Sequence, residues 1–205
     1  MPNYVANILS FKGEPEKIKR MLSEIQSDEF GPGSFSFQKI LPMPPELDIE
    51  SGTRTERGLK AYHDFLEVYS LGRPLGAEEL QKIPQKSEDA FLKQRTDIDR
   101  ETWDLGKKAF QNTVHHGAPD WYDWRLKHWG VKWDAGGYDE NTDYSQCDKL
   151  IFRTAWQEPA PVIQKLSEMY PDIEITHQWA EEQIGHYCGT AKYLAGVQTE
   201  YELMQ

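Results

Sequence analysis

At 205 residues, with 38% hydrophobic content and 7 Trp, 10 Tyr and 8 Phe, the chain suits one domain, or one domain with a large insertion. It has no long apolar run and no signal-peptide pattern, so a soluble, cytoplasmic protein with no membrane partner is expected. The net charge is −11 and uneven: residues 1–53 carry −3, 54–110 balance, 111–133 carry +1 and 134–205 carry −9, so no segment offers the basic face that a nucleic-acid backbone needs.

In chain order, Tyr4–Phe11 is β-rich and reads as a strand before Gly13. Glu14–Ile25 follows as a helix, with Pro15 near its start and Ile18, Leu22 and Ile25 at helical spacing. Phe35–Leu41 alternates loosely and predicts a second strand, ended by Pro42, Pro44 and Pro45, which cannot donate to a sheet ladder. Residues 46–130 read as helical and irregular. Tyr62, Phe65, Leu66 and Tyr69 repeat at i, i+3, i+4, i+7, Gly72-Arg73-Pro74 and Pro84 interrupt, and Thr102–His116 is a further helix.

Trp121–Asp134, WYDWRLKHWGVKWD, holds Trp121, Trp124, Trp129 and Trp133. Pro119 and Asp120 supply a helix start there and Gly130 a stop. Residues 134–148 are polar and predict a loop. Leu150–Trp156 is a third strand, Pro159–Met169 a helix, and Ile173–Trp179 a strand whose Ile173, Ile175, His177 and Trp179 share one face. Ile184–Cys188 and Ala191–Val197 suggest a terminal hairpin or strand.

An internal repeat selects the fold. At an offset of 144, Glu14, Pro15, Leu22, Ser23 and Glu24 fall on Glu158, Pro159, Leu166, Ser167 and Glu168, while Ala6, Ile8 and Ser10 fall on Leu150, Phe152 and Thr154. Two βαβ halves around an insert make an α+β, ferredoxin-like split βαβ sandwich. The expected organisation is a single domain over residues 1–205, with a mainly helical insertion and loop at 46–148. The offset places the first and third strands together at the sheet centre, with Ala6, Ile8 and Ser10 on the face of Leu150, Phe152 and Thr154. Asn7, Leu9, Ile151 and Arg153 would then share the other face, over which the tryptophan-bearing insert is expected to close.

Four stretches, in order along nearly the full chain, carry a family resemblance: PNYVANILSFKG from Pro2, FSFQKILPMP at Phe35–Pro44, WRLKHWGVKWDA at Trp124–Ala135, and FRTAWQEPAPVIQKLSEMYP at Phe152–Pro171. They resemble the YubB ferredoxin-like proteins of bacterial plasmids and phages. That family has Asn and Thr where this chain has His128 and Val131. The resemblance implies a ferredoxin-like domain with a helical insertion and a bacterial mobile-element setting. It implies no activity, and the family's name describes topology, not iron–sulfur chemistry.

Candidate chemistry is sparse. The tryptophan cluster could stack a base, a sugar or a peptide, but fastening the insert to the sheet is the favoured reading. Arg125 and Lys132 are placed for cation–π contacts. His115, His116, Asp120, Asp123 and His128 are the best metal candidates and fit ligand spacing poorly. Glu181-Glu182 and the Asp139–Asp148 loop read as solvated acidity, Gly136-Gly137 as a hinge, Cys188 as a small buried residue and His177 as a hydrogen-bonded core histidine. With only Cys147 and Cys188 present, no iron, other cofactor or disulfide is expected. The binding candidates are Asn7, Trp121, Trp124, Trp129, Lys132, Trp133 and Arg153, with no catalytic and no metal residue. A non-catalytic interaction or regulatory protein with a protein partner is expected, its oligomeric state open. The alternatives are an enzyme or small-molecule sensor with a pocket between sheet and insert, and an acidic nucleic-acid mimic.

Overall fold

A computed structural model describes residues 3–138, 149–182 and 187–204. Its elements run β1 (Tyr4–Lys12), α1 (Pro15–Ile25), α2 (Thr53–Ser70), α3 (Ala77–Gln81), α4 (Gln85–Leu92), α5 (Arg100–His116), α6 (Trp121–His128), β2 (Lys149–Ala155), α7 (Ala160–Met169), β3 (Glu174–Glu181), β4 (Cys188–Leu194) and β5 (Val197–Met204). Two compact units form. One comprises Met1–Met43 and Arg125–Gln205, the other Pro44–Trp124.

The first unit is an antiparallel five-stranded sheet in the order β2-β1-β3-β4-β5. β1 lies between β2 and β3, which makes β2–α7–β3 a split βαβ unit; the first half, β1–α1, has no second strand among the described residues. β2 is at the sheet edge, not the centre. One face is buried: Val5, Asn7 and Leu9 lie beside Leu150, Phe152 and Thr154, and beside His177 and Trp179 of β3. Met21 and Ile25 of α1 and Val162, Ile163 and Leu166 of α7 are buried against it. Ala6, Ile151, Arg153, Gln178 and Ala180 point to the opposite face and are exposed.

Asn7 and Arg153 therefore lie on opposite faces, and the sequence repeat is one residue out of step. Burial matches Val5, Asn7 and Leu9 with Leu150, Phe152 and Thr154. The cap positions explain the slip: α1 starts at Pro15 from cap Glu14, whereas α7 starts at Ala160 from cap Pro159. The matched Glu-Pro letters thus hold different places in the two helix starts, and a one-residue shift turns a strand residue to the other face. Leu22 is half-buried while Leu166 is fully buried. Leu166→Ala is expected to cost about 2–5 kcal/mol and Leu22→Ala less than half of that. Equal losses in denaturant melts would restore the original offset.

Phe35–Leu41 is not a strand. Phe37–Lys39 is a 3₁₀ turn in which the N–H groups of Ile40 and Leu41 return to the Phe37 carbonyl at 3.0 and 2.8 Å. The segment turns its rings inward instead, with Phe35 and Phe37 packing edge-on to Phe152 at 5.3 and 5.9 Å. The terminal hairpin exists but lies further along the chain. Ala195 (φ 51°) and Gly196 (φ 79°) make the two-residue turn, both left-handed, as a type I′ hairpin requires.

The second unit has a core of Ala61, Tyr62, Phe65, Leu66, Ile98 and Trp103. Asp99 caps α5 by accepting the Thr102 N–H at 2.7 Å, and Asp120 caps α6 through Tyr122 and Asp123. The buried carboxylate of Glu88 is matched by Lys107 at 2.7 Å and by the Trp103 indole N–H at 3.3 Å.

Candidate functional site

The seven binding candidates separate. Asn7 and Trp129 are buried. Trp129 is 1% exposed, donates its indole N–H to the Leu41 carbonyl at 2.8 Å and packs edge-on to Phe37 at 5.7 Å, and the Arg125 guanidinium lies 4.8 Å from its ring centre. Trp121 and Trp124 belong to the second unit, where Trp121 meets Tyr122 edge-on at 5.6 Å and Trp124 is buried. Trp133 and Arg153 come together at the sheet edge, and Lys132 lies over the Trp133 ring.

The meeting depends on backbone. Gly136 and Arg153 exchange N–H···O bonds of 3.1 and 2.7 Å, an isolated antiparallel bridge that lays Trp133–Gly137 along β2. Gly137 has φ +81°, and a β-carbon there would come within 2.8–3.1 Å of the Arg153 side-chain stem. Glycine thus lets the chain pass directly over the arginine. Asp134 fastens the segment to the core. Its carboxylate accepts from the N–H groups of Phe37 (2.6 Å) and Ala135 (2.8 Å) and from the Ser36 hydroxyl (3.2 Å), while burial pushes its pKa above the usual carboxylate range against the pull of those donors.

The result is a cleft of about 360 Å³ lined by Tyr4, Trp133, Asp134, Gly136, Gly137, Arg153, Thr154 and Ala155. Trp133 is 41% exposed, and the Lys132 ammonium sits 4.0 Å from its ring centre. Sequence reading found the tryptophan and the two cations. It missed Tyr4, Asp134 and the placing role of Gly137, although Asp134 and Gly137 lie in or beside the WRLKHWGVKWDA stretch.

Beneath the sheet, Asn7 donates to the Val5 carbonyl and the Thr154 hydroxyl, both at 2.9 Å, and Thr154 donates to the Gln157 carbonyl at 2.7 Å. The Asn7 amide oxygen is thereby left to accept the His177 Nε2–H at 2.9 Å, which fixes the ring's tautomer. His177 is the hydrogen-bonded core histidine that strand alternation predicts. Among the described residues neither its Nδ1 nor the Trp179 indole N–H has a hydrogen-bond partner. Burial lowers the His177 pKa to about 3.

Among the described residues no group of three or more His, Cys, Asp or Glu side chains could hold a metal ion, and no helix is long and apolar enough to cross a membrane. Cys188 is half-buried, its thiol 3.4 Å from the Met204 carbonyl; Cys147 and the Asp139–Asp148 loop lie outside the described residues.

Residues 129–205 match the family model described as the ferredoxin-like domain in Api92-like protein. The match begins at Trp129 and takes in the cleft segment and β2–β5. The protein therefore has an α+β, ferredoxin-like fold, with a long helical region between its first strand and the others. A crystal structure of protein api92 from Yersinia pseudotuberculosis is similar to the chain with a TM-score of 0.46 and 12% identity, covering 100% of this chain and 99% of that one. No curated protein matches the chain.

Proposed function

We propose that the chain is a non-catalytic interaction or regulatory protein of a bacterial mobile element, acting in the cytoplasm by taking a strand of a partner protein onto the outer edge of β5, which is unpaired among the described residues. The plasmid and phage setting rests on the resemblance to YubB proteins. The observation that carries the rest is β5 itself: an eight-residue terminal strand, exposed at every position, with Val197 61%, Tyr201 51%, Leu203 49% and Met204 48% exposed. Natural sheets usually blunt such an edge, and an open one is a template for strand addition.

Charge defines the occupant. Glu200 and Glu202 point to one side of the strand, and Lys192 meets Glu200 at 2.8 Å. A second copy paired antiparallel about Tyr201 would set Glu200 against Glu202, so a foreign strand with alternating basic side chains is the better fit.

In a pull-down from bacterial lysate, the wild-type chain is expected to retain a partner that is lost above about 0.3 M salt, where the Debye length falls to roughly 6 Å or less. The double substitution Glu200→Lys, Glu202→Lys should release it, and Arg153→Gln should not. Retention of the same protein by the double variant would overturn the reading, as would no partner above the empty-resin control.

A further inference from the structure

We propose that the Trp133–Arg153 cleft is a second, independent binding site, for a small anion that carries a flat ring. The cleft, about 360 Å³, lies within the range of small-ligand pockets, roughly 300–1,000 Å³. Its chemistry is the reverse of the chain's. The protein carries 34 acidic against 23 basic residues, yet neither Arg153 nor Lys132 is ion-paired among the described residues, while many other arginines and lysines are. The one carboxylate in the lining, Asp134, is engaged by two backbone N–H groups and a hydroxyl, so it does not serve as counter-ion to either cation.

Each group has a role that its geometry suits. A guanidinium grips a carboxylate or phosphate with two parallel hydrogen bonds, which an ammonium cannot do. Arg153 is held for that task by Gly137, whose backbone lies against its stem, and by the Gly136 bridge through its own backbone. A free surface arginine would have to be ordered by the ligand at a cost in side-chain entropy. The partly exposed indole of Trp133 offers a stacking surface for a ring, and Lys132, already over that indole at 4.0 Å, adds a second positive charge beside it. Tyr4 adds an aromatic side chain to the lining. An anion without a ring would use only the cations, and a neutral ring only the indole. The cleft therefore selects for both features in one molecule.

The test is a titration of the full chain, followed by tryptophan emission and by calorimetry, with adenosine 5′-monophosphate, indole-3-acetate and 4-hydroxybenzoate as ring-bearing anions. Inorganic phosphate, acetate, adenosine, indole and phenol serve as the half-probes. At least one ring-bearing anion is expected to bind below 1 mM and at least tenfold more tightly than either of its halves. Arg153→Gln and Trp133→Leu should each weaken it tenfold or more, Arg153→Lys should recover only part of the loss, and Gly137→Ala, which keeps both groups but sets a β-carbon against the arginine stem, should weaken it at least threefold. Circular dichroism melts of each variant confirm that it is folded. The Glu200→Lys, Glu202→Lys chain should bind unchanged, which separates this site from β5. Failure of all three anions below 5 mM, or binding that survives both Arg153→Gln and Trp133→Leu, overturns the proposal. So does phosphate or acetate binding as tightly as the ring-bearing probes.

Discussion

Lowering the pH from 6.5 to 4.5 is expected to cost the protein about 2–3 kcal/mol of stability, and His177→Gln to remove most of that loss. His177 is fully buried, and its Nε2–H is committed to Asn7. A charged imidazolium at this place would lose its hydration, so the ring stays neutral, with its pKa lowered from 6.5 to about 3. The unfolded chain takes up this proton near pH 6.5 and the folded chain only near pH 3, so stability is complete above about 6.5 and is lost as the pH falls between these values. Each pH unit in that window is worth up to 1.36 kcal/mol.

His128, also lowered by burial, acts in the same direction. Glu79 and Asp97, each held at about 2 chiefly by hydrogen bonds from Arg73 and Arg95, lose their contribution only at more acid pH. Asp134 and Asp123, whose pKa values burial raises, act in the opposite direction, so the difference between wild type and His177→Gln is what isolates the histidine. Urea melts at half-unit steps would measure the slope. Glutamine keeps an N–H for Asn7 but cannot titrate, and an identical pH slope in His177→Gln and wild type would sink the expectation.

Gly106→Ala is expected to unfold the helical unit or to destabilise it by more than about 3 kcal/mol, the upper end for overpacking. In an unencumbered helix the same change would stabilise, since alanine is the better helix former by about 1 kcal/mol. Here α2 and α5 cross backbone to backbone. A β-carbon on Gly106 would lie 1.9 Å from the Gly58 carbonyl carbon and 2.4 Å from the Leu59 nitrogen, and one on Gly58 would lie 2.0 Å from the Thr102 oxygen. These atoms are main chain, so no rotamer change relieves the clash, and the helices would have to separate. Separation would open the core where Trp103 stands edge-on to Tyr62 at 5.4 Å and Phe65 at 5.6 Å. Thermal melts compare Gly106→Ala with Lys108→Ala on the same helix; a Gly106→Ala chain that melts at or above the wild-type temperature would refute the close crossing.

Local chemistry was enough to establish much of this protein from its sequence. The helix at Trp121 starts where Asp120 can accept its first N–H groups, β3 alternates because every second residue is buried, and the strand–helix pairs β1–α1 and β2–α7 declare themselves through repeated patterning. Tertiary packing decided what local pattern leaves degenerate. Phe35–Leu41 has the letters of a strand but spends its phenylalanines on the core and its backbone on a turn anchored by Asp134. The repeat's identical Glu-Pro starts hide a one-residue difference in helix frame, and in a strand one residue is the difference between the core and the open face. The same slip separated Asn7 from Arg153 and moved the candidate site from the face expected under the insert to the sheet edge. Gly137 and Gly58 are ordinary loop and helix glycines in sequence. Only the chain that passes within a β-carbon's radius of each, an arginine stem in one case and another helix in the other, makes them necessary.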